Sequence, residues 1–443
     1  MGRLFGTDGI RGTVGVDLTP ATARDLGSAV GRLLAGPGRS VVVGQDTRGS
    51  GTTLVEALSA GLVATGSDAI QLGVVTTPCL AYLAATGDHA AGVMVSASHN
   101  PPADNGLKVV SGGRKVDEAV EDELERLMGE AARGAAAPAG EPGAIVRDAS
   151  GVERYADHLV EAAGEALKGL RIGLDCANGS ASVIAPALFE RLGAAVTVIH
   201  AAPDGANINV ESGSTHPDAL ARLVVERRLD MGFAFDGDAD RLIAIDERGA
   251  VVDGDVVMGI CALRMLRDGT LRNGTLVATV MSNGGLQRVI EAAGGRVLRT
   301  PVGDRHVLEA MEAADAALGG EQSGHVIFRD RATTGDGMLT AIELVKAVRA
   351  EGGPTLGELA ARIPRLPQVV INSAVRRKES WQQDPPFAAA VADAEARLGS
   401  GGRILVRPSG TEPSLRIMVE GERLEDISEI AHALDALAQA RLN

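Results

Sequence analysis

The stretch Phe235-Asp236-Gly237-Asp238-Ala239-Asp240-Arg241 places three carboxylates at alternate positions directly after the apolar run Met231-Gly232-Phe233-Ala234-Phe235. Carboxylates this close repel one another unless a cation lies among them. An all-oxygen donor set suits a single Mg2+ ion, which keeps its other positions for water or a phosphate oxygen. Arg241 follows as a planar donor suited to a phosphate on that ion. Two other readings of the same residues stay open. One is an acidic turn in solvent. The other is an EF-hand, in which Asp236, Asp238 and Asp240 fall at the first, third and fifth loop positions and Glu247 at the twelfth. Against the EF-hand, Arg241 takes the sixth position, where the sharp turn wants Gly, and the flanks read as strands where helices are required.

Three further loops carry reactive side chains. The apolar strand Gly92-Val93-Met94-Val95 runs straight into Ser96-Ala97-Ser98-His99-Asn100-Pro101. Polar loops at strand ends are where α/β proteins place chemistry, because a rigid scaffold holds them. Ser98, with Ser96, His99, Asn100 and Lys108 near it in sequence, is a candidate nucleophile activated by cationic neighbours. The loop lacks the G-x-S-x-G of a hydrolase elbow, and a Ser/Asn helix cap is the plainer alternative. In GEQSGH, residues 320–325, Glu321 can accept from adjacent sugar hydroxyls and Ser323 can donate or accept; an exposed turn with a structural His325 fits equally. In RPSGTEPSLR, residues 407–416, Arg407, Ser409, Gly410, Thr411 and Arg416 make a phosphate cradle. A Pro/Gly turn with solvated Arg is the alternative there. A metal loop, a Ser/His loop, a polyol-type loop and a phosphate cradle on one chain together point to phosphoryl transfer on a phosphosugar.

These loops, in this order, resemble those of the α-D-phosphohexomutase superfamily. The resemblance runs from FGTDGIRG (residues 5–12) through TPCLAYL, SASHNP, NGLK, NVESGSTHPDAL, DGDADR, TVMSNGGL, VGDRHV and GGEQSGHVI to RPSGTEPSLR. GEQSGH and GSTH favour the bacterial amino-sugar branch over the mannose and glucose branches. The resemblance implies that Ser98 is phosphorylated in the resting enzyme and that one Mg2+ ion sits among its phosphate, Asp236, Asp238 and Asp240. It places Arg11, His99 and Lys108 around the transferring group and gives Arg305 an acid/base or positioning role. Glu321 and Ser323 would hold sugar hydroxyls, and Arg407, Ser409, Gly410, Thr411 and Arg416 would grip the distal phosphate. The implied reaction interconverts glucosamine 6-phosphate and 1-phosphate, upstream of UDP-N-acetylglucosamine and cell-wall precursors. Glucosamine 1,6-bisphosphate would serve as intermediate and activator, and the last domain would move as the sugar turns. The expected partners are the phosphosugar, a kinase or bisphosphate that first phosphorylates Ser98, and a second copy in a homodimer. The competing readings are a mannose- or glucose-phosphate mutase, a Mg2+-dependent phosphatase that forms phosphoserine, and a non-catalytic sugar-phosphate sensor. The cradle speaks against the phosphatase, which needs no grip on a second phosphate. Gln45, Ser212 and the missing aromatic in NPPADNG depart from the family pattern, and none is an expected ligand or nucleophile.

The elements that must position these loops recur three times as strand, polar Gly-containing loop, amphipathic helix closed by Gly, and strand. The copies begin at Val41, Arg171 and Thr275. The recurrence predicts an α/β protein: three tandem related α/β domains with mixed sheets and a smaller C-terminal α+β domain around a central cleft. The boundaries are expected at 1–148 (nucleophile), 149–248 (metal), 249–364 (sugar) and 365–443 (phosphate). Thr19 and Pro20 predict a helix start, with Ala23, Leu26, Val30 and Leu33 on its buried face. GEAARGAAAPAGEPGA, residues 129–144, predicts a flexible connection.

Bulk composition narrows the partners. The 443 residues are 45% apolar but only 2% aromatic, with Trp381, Tyr82 and Tyr155 the sole Trp and Tyr, so no platform for stacking bases is present. A net charge of −15 repels nucleic acid and anionic membranes, which makes a local basic pocket necessary for an anionic substrate. Cys79, Cys176 and Cys261 are odd in number and widely spaced, which predicts a reducing, cytoplasmic setting without disulfides. No window has the length of apolar sequence a membrane span needs.

Overall fold

The computed structural model describes residues 3–6, 8–133, 141–350, 352–409 and 414–443. The chain forms two compact units, Met1–Met281 with Ala293–Arg362, and Ser282–Ala292 with Ile363–Asn443.

The first unit contains three mixed sheets that share one strand order. In the first sheet, Ser40–Gln45 lies between the parallel strands Asp68–Val74 and His89–Val95, and Asp104–Ser111 returns antiparallel beside the latter. In the second, Arg171–Asp175 lies between Ala195–Ile199 and Met231–Phe235, with Leu242–Ile245 returning antiparallel. In the third, Thr275–Thr279 lies between Arg296–Thr300 and Leu318–Gly320, with Val326–Phe328 returning antiparallel. The recurrence in sequence is thus a recurrence of topology. It also has a functional consequence: the connection from the last parallel strand to its return strand is residues 96–103 in the first sheet, 236–241 in the second and 321–325 in the third. The Ser/His loop, the carboxylate triple and the polyol-type loop occupy equivalent places, at carboxyl ends of parallel strands where α/β folds expose loops rather than core.

Burial explains why these segments become strands. Val41, Val42 and Val43 are fully buried, as are Ala91, Val93, Met94 and Val95, because strands covered on both faces read as continuous apolar runs. The first sheet is extended by Gly9–Thr13, which pairs antiparallel with Asp104–Ser111 and sets Arg11 opposite Gly106. Helix Pro20–Val30 begins as expected, with the Thr19 hydroxyl accepting from Thr22 N at 3.2 Å. Ala23, Leu26 and Val30 are buried, but Leu33 is 36% exposed. Beyond Val30 the chain widens into a π-helical turn, Gly31–Ala35, which changes the angular step and brings Leu34 and Ala35 onto the core where Leu33 was expected. The expected connection at 129–144 also starts later, because helix Glu118–Ala132 continues through its first residues; 134–140 lie outside the described residues.

The second unit is an α+β piece, and besides Ile363–Asn443 it takes in Ser282–Ala292, which the expected boundaries assign to the third α/β domain. Ser414–Glu420 is the central strand between antiparallel Gln368–Ala374 and Arg403–Pro408. Phe387 of helix Pro385–Leu398 and Leu434 of helix Leu424–Arg441 share a core with Leu415, Ile417 and Val419. Cys79, Cys176 and Cys261 are buried free thiols. Among the described residues no helix is long and apolar enough to cross a membrane.

Candidate active site

Ser98 has φ 51°, in the left-handed region. For a residue other than Gly this costs about 1–3 kcal/mol and persists only where the surroundings impose it, a pattern concentrated at functional sites. Here its N–H donates to the Ser96 hydroxyl at 2.9 Å and its carbonyl accepts from Asn209 Nδ2 at 2.8 Å. The conformation aims the hydroxyl away from a helix-capping role: Oγ donates to Asp236 Oδ2 at 2.5 Å and lies 3.3 Å from His99 Nδ1. The helix-cap reading is thereby set aside.

The carboxylate loop meets this serine backbone to backbone. A Cβ on Gly237 would lie 2.5 Å from the Ser98 carbonyl oxygen and 2.9 Å from Ile208 Cδ1. Gly237→Ala is therefore expected to fold, because the crowded atoms belong to the adjoining loops and not to a sheet, yet to lose about 10^2-fold in turnover as the two loops are pushed apart. Steady-state rates beside a thermal melt check this, and a variant as active as the parent would show that the approach is unimportant.

Asp236, Asp238 and Asp240 are all buried, and one ligand atom from each lies within 4.8 Å of the others. Asp238 Oδ2 accepts from Thr77 Oγ1 at 2.5 Å and Lys108 Nζ at 2.8 Å. Asp238 Oδ1 and Asp240 Oδ1, by contrast, are buried without a hydrogen-bond partner. Buried carboxylate oxygens left without donors are costly, and a hard cation is the group that would satisfy several together. The residues therefore fit a magnesium-type ion. The flanks of the loop are the strands Met231–Phe235 and Leu242–Ile245, and Glu247 instead accepts from Thr355 Oγ1 at 2.7 Å and Gly357 N at 3.0 Å. Both facts remove the EF-hand.

Electrostatics separate the three acids. Burial, reinforced by Asp240 and Asp238, pushes the Asp236 carboxyl up to about 8. Asp240 is held well below the ordinary range, because Lys108 and His325 outweigh its burial. A group whose metal-free pKa is raised to about 8 holds a proton below that pH, and a cation must displace it. Apparent Mg2+ affinity should therefore rise up to about tenfold per pH unit towards 8 and level off above it, with about one proton released per ion below that point. Calorimetric titrations in buffers of different ionisation heat measure that proton, and a pH-independent affinity between 6 and 8 would contradict the assignment.

Beside the triple lies a cavity of about 390 Å³ lined by Arg11, His99, Arg241 and Glu321, and also by Asp8, Lys115, Asp304 and His325. Arg11 donates to Ala97 O at 3.2 Å and Asn100 Oδ1 at 3.3 Å, which ties it to the serine loop. Lys108 Nζ is 3.1 Å from Asp8 and 3.7 Å from Asp240. Burial alone would weaken its charge, but Asp238, Asp8 and Asp240 outweigh burial and hold it protonated. Lys115 bridges Asp8 and Asp304, and the His325 ring lies 3.6 Å from Asp240 and 3.8 Å from Asp304. Cations and carboxylates thus alternate around the metal loop, an arrangement that lets a −15 chain keep a site for an anion. His99 is pushed down to about 4 by burial, then by Arg241 and Arg11, so its imidazole is neutral at physiological pH. Glu321 Oε1 accepts from Gly303 N at 3.0 Å, which fixes one of its oxygens.

Other expected residues lie elsewhere. Ser323 is exposed and does not line the cavity. Arg305 is turned away: its guanidinium pairs with Glu121 and donates to Val116 O at 3.1 Å, because that carboxylate on Glu118–Ala132 is the nearest strong acceptor. Its neighbour Asp304 is the residue of that motif which faces the cavity. Arg407 and Arg416 are register partners on adjacent antiparallel strands of the second unit, and Ser409 N donates to Ser414 O at 2.9 Å. Burial and the facing Arg416 lower the pKa of Arg407, the signature of like charges that an anion would relieve. Gly410 and Thr411 lie outside the described residues.

Sequence reasoning missed Asp8, Lys115 and Asp304 in the cavity wall, Thr77 as a donor to Asp238, and Asp46 and Arg48 behind the serine loop. The last two had a signal: GQDTR follows a buried strand just as SASHNP follows the next strand of the same sheet.

Comparison with known proteins finds similarity over nearly the whole chain. Residues 2–134, 153–249 and 253–366 match phosphoglucomutase/phosphomannomutase alpha/beta/alpha domains I, II and III, and 370–437 match the C-terminal domain of that family. The chain is 49% identical to phosphoglucosamine mutase of Moorella thermoacetica over 99% of both chains. It is 49% identical to that of Frankia alni over 100% of this chain and 99% of the relative. Among solved structures, a phosphoglucomutase/phosphomannomutase family protein from Burkholderia thailandensis superposes with a TM-score of 0.85 at 25% identity, covering 99% of this chain and 97% of that one.

Proposed function

The chain belongs to the phosphoglucomutase/phosphomannomutase family, and from that premise we propose that it interconverts glucosamine 6-phosphate and glucosamine 1-phosphate through a phosphoserine at residue 98. The observation that carries the proposal is the 2.5 Å contact of Ser98 Oγ with Asp236, inside a buried carboxylate triple and beside a cavity of about 390 Å³. The amino sugar follows from the phosphoglucosamine mutases that match at 49% identity over essentially full length.

In this reading the phosphoryl group of phosphoSer98 passes to the free hydroxyl of the 6-phosphate. The bond from phosphorus to Ser98 Oγ breaks as the bond to the sugar oxygen forms, the sugar hydroxyl proton passing to a base at the cavity and one proton returning to Ser98 Oγ, giving the 1,6-bisphosphate. The sugar then turns, and its other phosphate returns to Ser98, releasing the 1-phosphate and regenerating the enzyme. Free bisphosphate would prime an unphosphorylated Ser98 by the reverse of the first step. Asp236, Asp238 and Asp240 would hold Mg2+, which when bound neutralises charge on the phosphoryl oxygens. Arg11 and Arg241 line the cavity as donors to the same oxygens, and Lys108 fixes Asp238 and Asp240 in place. Neutral His99 lets Ser98 keep its hydrogen bond to Asp236 without adding a charge. Because Arg305 is engaged with Glu121, acid/base work falls to groups that do line the cavity, of which His325 is the imidazole set between two carboxylates. Arg407 and Arg416 of the second unit are facing guanidinium groups suited to a phosphate.

Side-by-side assays with glucosamine, glucose and mannose 6-phosphates test the proposal. The expected result is the highest kcat/KM on the amino sugar. Preference for a neutral hexose would move the substrate assignment, and release of inorganic phosphate at turnover rates without isomerisation would make the protein a phosphatase.

A further inference from the structure

We infer that Arg48 is a positioning residue for phosphoryl transfer: with Asp46 it forms a buried template that holds the peptide groups on both sides of Ser98 and so aims the serine hydroxyl at the carboxylate triple. The inference rests on the reading of Ser98 as the phosphoryl carrier.

Asp46 follows strand Ser40–Gln45, next to the strand that leads into the serine loop, and its N–H donates to Val95 O at 3.1 Å. Both side chains of the Asp46–Arg48 pair are fully buried, with Arg48 Nε 2.9 Å from Asp46 Oδ2. The same Oδ2 accepts from the Ser96 hydroxyl at 2.7 Å, and that hydroxyl in turn accepts the Ser98 N–H at 2.9 Å. On the carbonyl side, Arg48 Nη2 donates to Ser98 O at 2.8 Å and Asn100 O at 2.9 Å. Nη1 donates to Asp104 O at 2.9 Å and to Pro101 O. All five guanidinium N–H groups are therefore used, one on the carboxylate and four on carbonyls that span the turn between two antiparallel strands. A rigid planar fork is the side chain able to satisfy five acceptors in this arrangement. An ammonium has three donors and no plane. The template sits directly after a neighbouring buried strand, so the left-handed φ of 51° at Ser98 is held from outside the serine loop. Arg48 does not line the cavity, which makes its effect one of aim rather than of contact with the sugar phosphate.

Arg48→Lys keeps the charge pair with Asp46 and loses the fork. It is expected to fold, to bind sugar phosphate with KM little changed, and to lower both kcat and the rate of Ser98 phosphorylation by glucosamine 1,6-bisphosphate by about 10^2-fold. Arg48→Ala is expected to lose more and to recover part of its activity with millimolar guanidinium but not with ammonium, a rescue that a merely structural role would not give. Should Arg48→Ala fail to fold, the lysine variant decides. Wild-type rates in folded Arg48→Lys, or a loss confined to KM, would overturn the inference. So would a folded Arg48→Ala that guanidinium leaves unrescued. Peptide mass spectrometry of wild type after incubation with the bisphosphate separates the two levels. A wild type that takes no phosphate on Ser98 overturns the reading of the site itself, whereas wild type and Arg48→Lys labelled equally fast overturn only the role of Arg48.

Discussion

Replacing Ser98 by Ala is expected to reduce mutase turnover by at least about 10^4-fold, to background, while leaving the fold intact. The effect is large because the proposed mechanism has no second carrier: each half-reaction passes the phosphoryl group through one oxygen, and Ala removes it. The fold should survive because the hydroxyl makes its hydrogen bonds only to Asp236 and His99, while the backbone of residue 98 is held independently through Ser96 and Asn209. Loss of the Ser98 donor removes one of the influences that lower the Asp236 pKa, so the small stability change that remains should favour a protonated Asp236. Two measurements check the prediction: the coupled mutase rate, and intact mass after incubation with glucosamine 1,6-bisphosphate, which should show one added phosphate on the parent and none on the variant. A variant that turns over at even a tenth of the parental rate would place the phosphoryl carrier elsewhere.

Asp238→Asn should cost about 10^3-fold in turnover and remove Mg2+-dependent stabilisation. Asn preserves size and can still accept from Thr77, so the metal-free fold is expected to melt near the parent. What changes is charge. Asp238 Oδ1 is one of two buried oxygens of the carboxylate triple without a hydrogen-bond partner, and an amide in its place loses the negative charge on which cation binding depends. Lys108, now opposite an amide, would retain Asp8 at 3.1 Å and Asp240 at 3.7 Å. The parent should gain thermal stability as Mg2+ is raised, because a ligand that binds only the folded state stabilises it by mass action. The variant should not. Equal Mg2+-induced shifts in both proteins would remove Asp238 from the metal site.

The two predictions differ in how far the sequence alone supports them. Ser98 stood out because the apolar run Gly92-Val93-Met94-Val95 ends abruptly in Ser-Ala-Ser-His-Asn, and the structure adds the left-handed backbone at 98. The carboxylate triple was legible because its members are adjacent: alternation within five residues on a tight loop forces them together whatever the rest of the chain does. Arg305 shows the limit of such reasoning. Its motif was located correctly, but a carboxylate 184 positions away, Glu121, captured the side chain, and Asp304 is what faces the cavity. Leu33 shows the same limit at short range, where a five-residue π turn shifted the buried face by one position.

What the sequence determined by itself is therefore local chemistry and period. The three strand–loop–helix–strand repeats fix the parallel strand pairs at the heart of each mixed sheet, because buried strands must be continuous apolar runs and amphipathic helices must cover them. The residue types in four loops fix the class of reaction. Tertiary structure decided which long-range partners complete those loops. Lys108 reaches Asp238 across 130 positions, Thr77 reaches it across 161, and Lys115 joins Asp8 to Asp304. Arg48 reaches the carbonyl of Ser98 across 50. Such contacts depend on strand order and register, which are set by the summed burial of whole sheets rather than by any short stretch of residues. The repeated order of four strands in each sheet puts a loop at the same topological place three times, and the residues on those three loops supply the serine, the carboxylate triple and the cavity-lining Glu321.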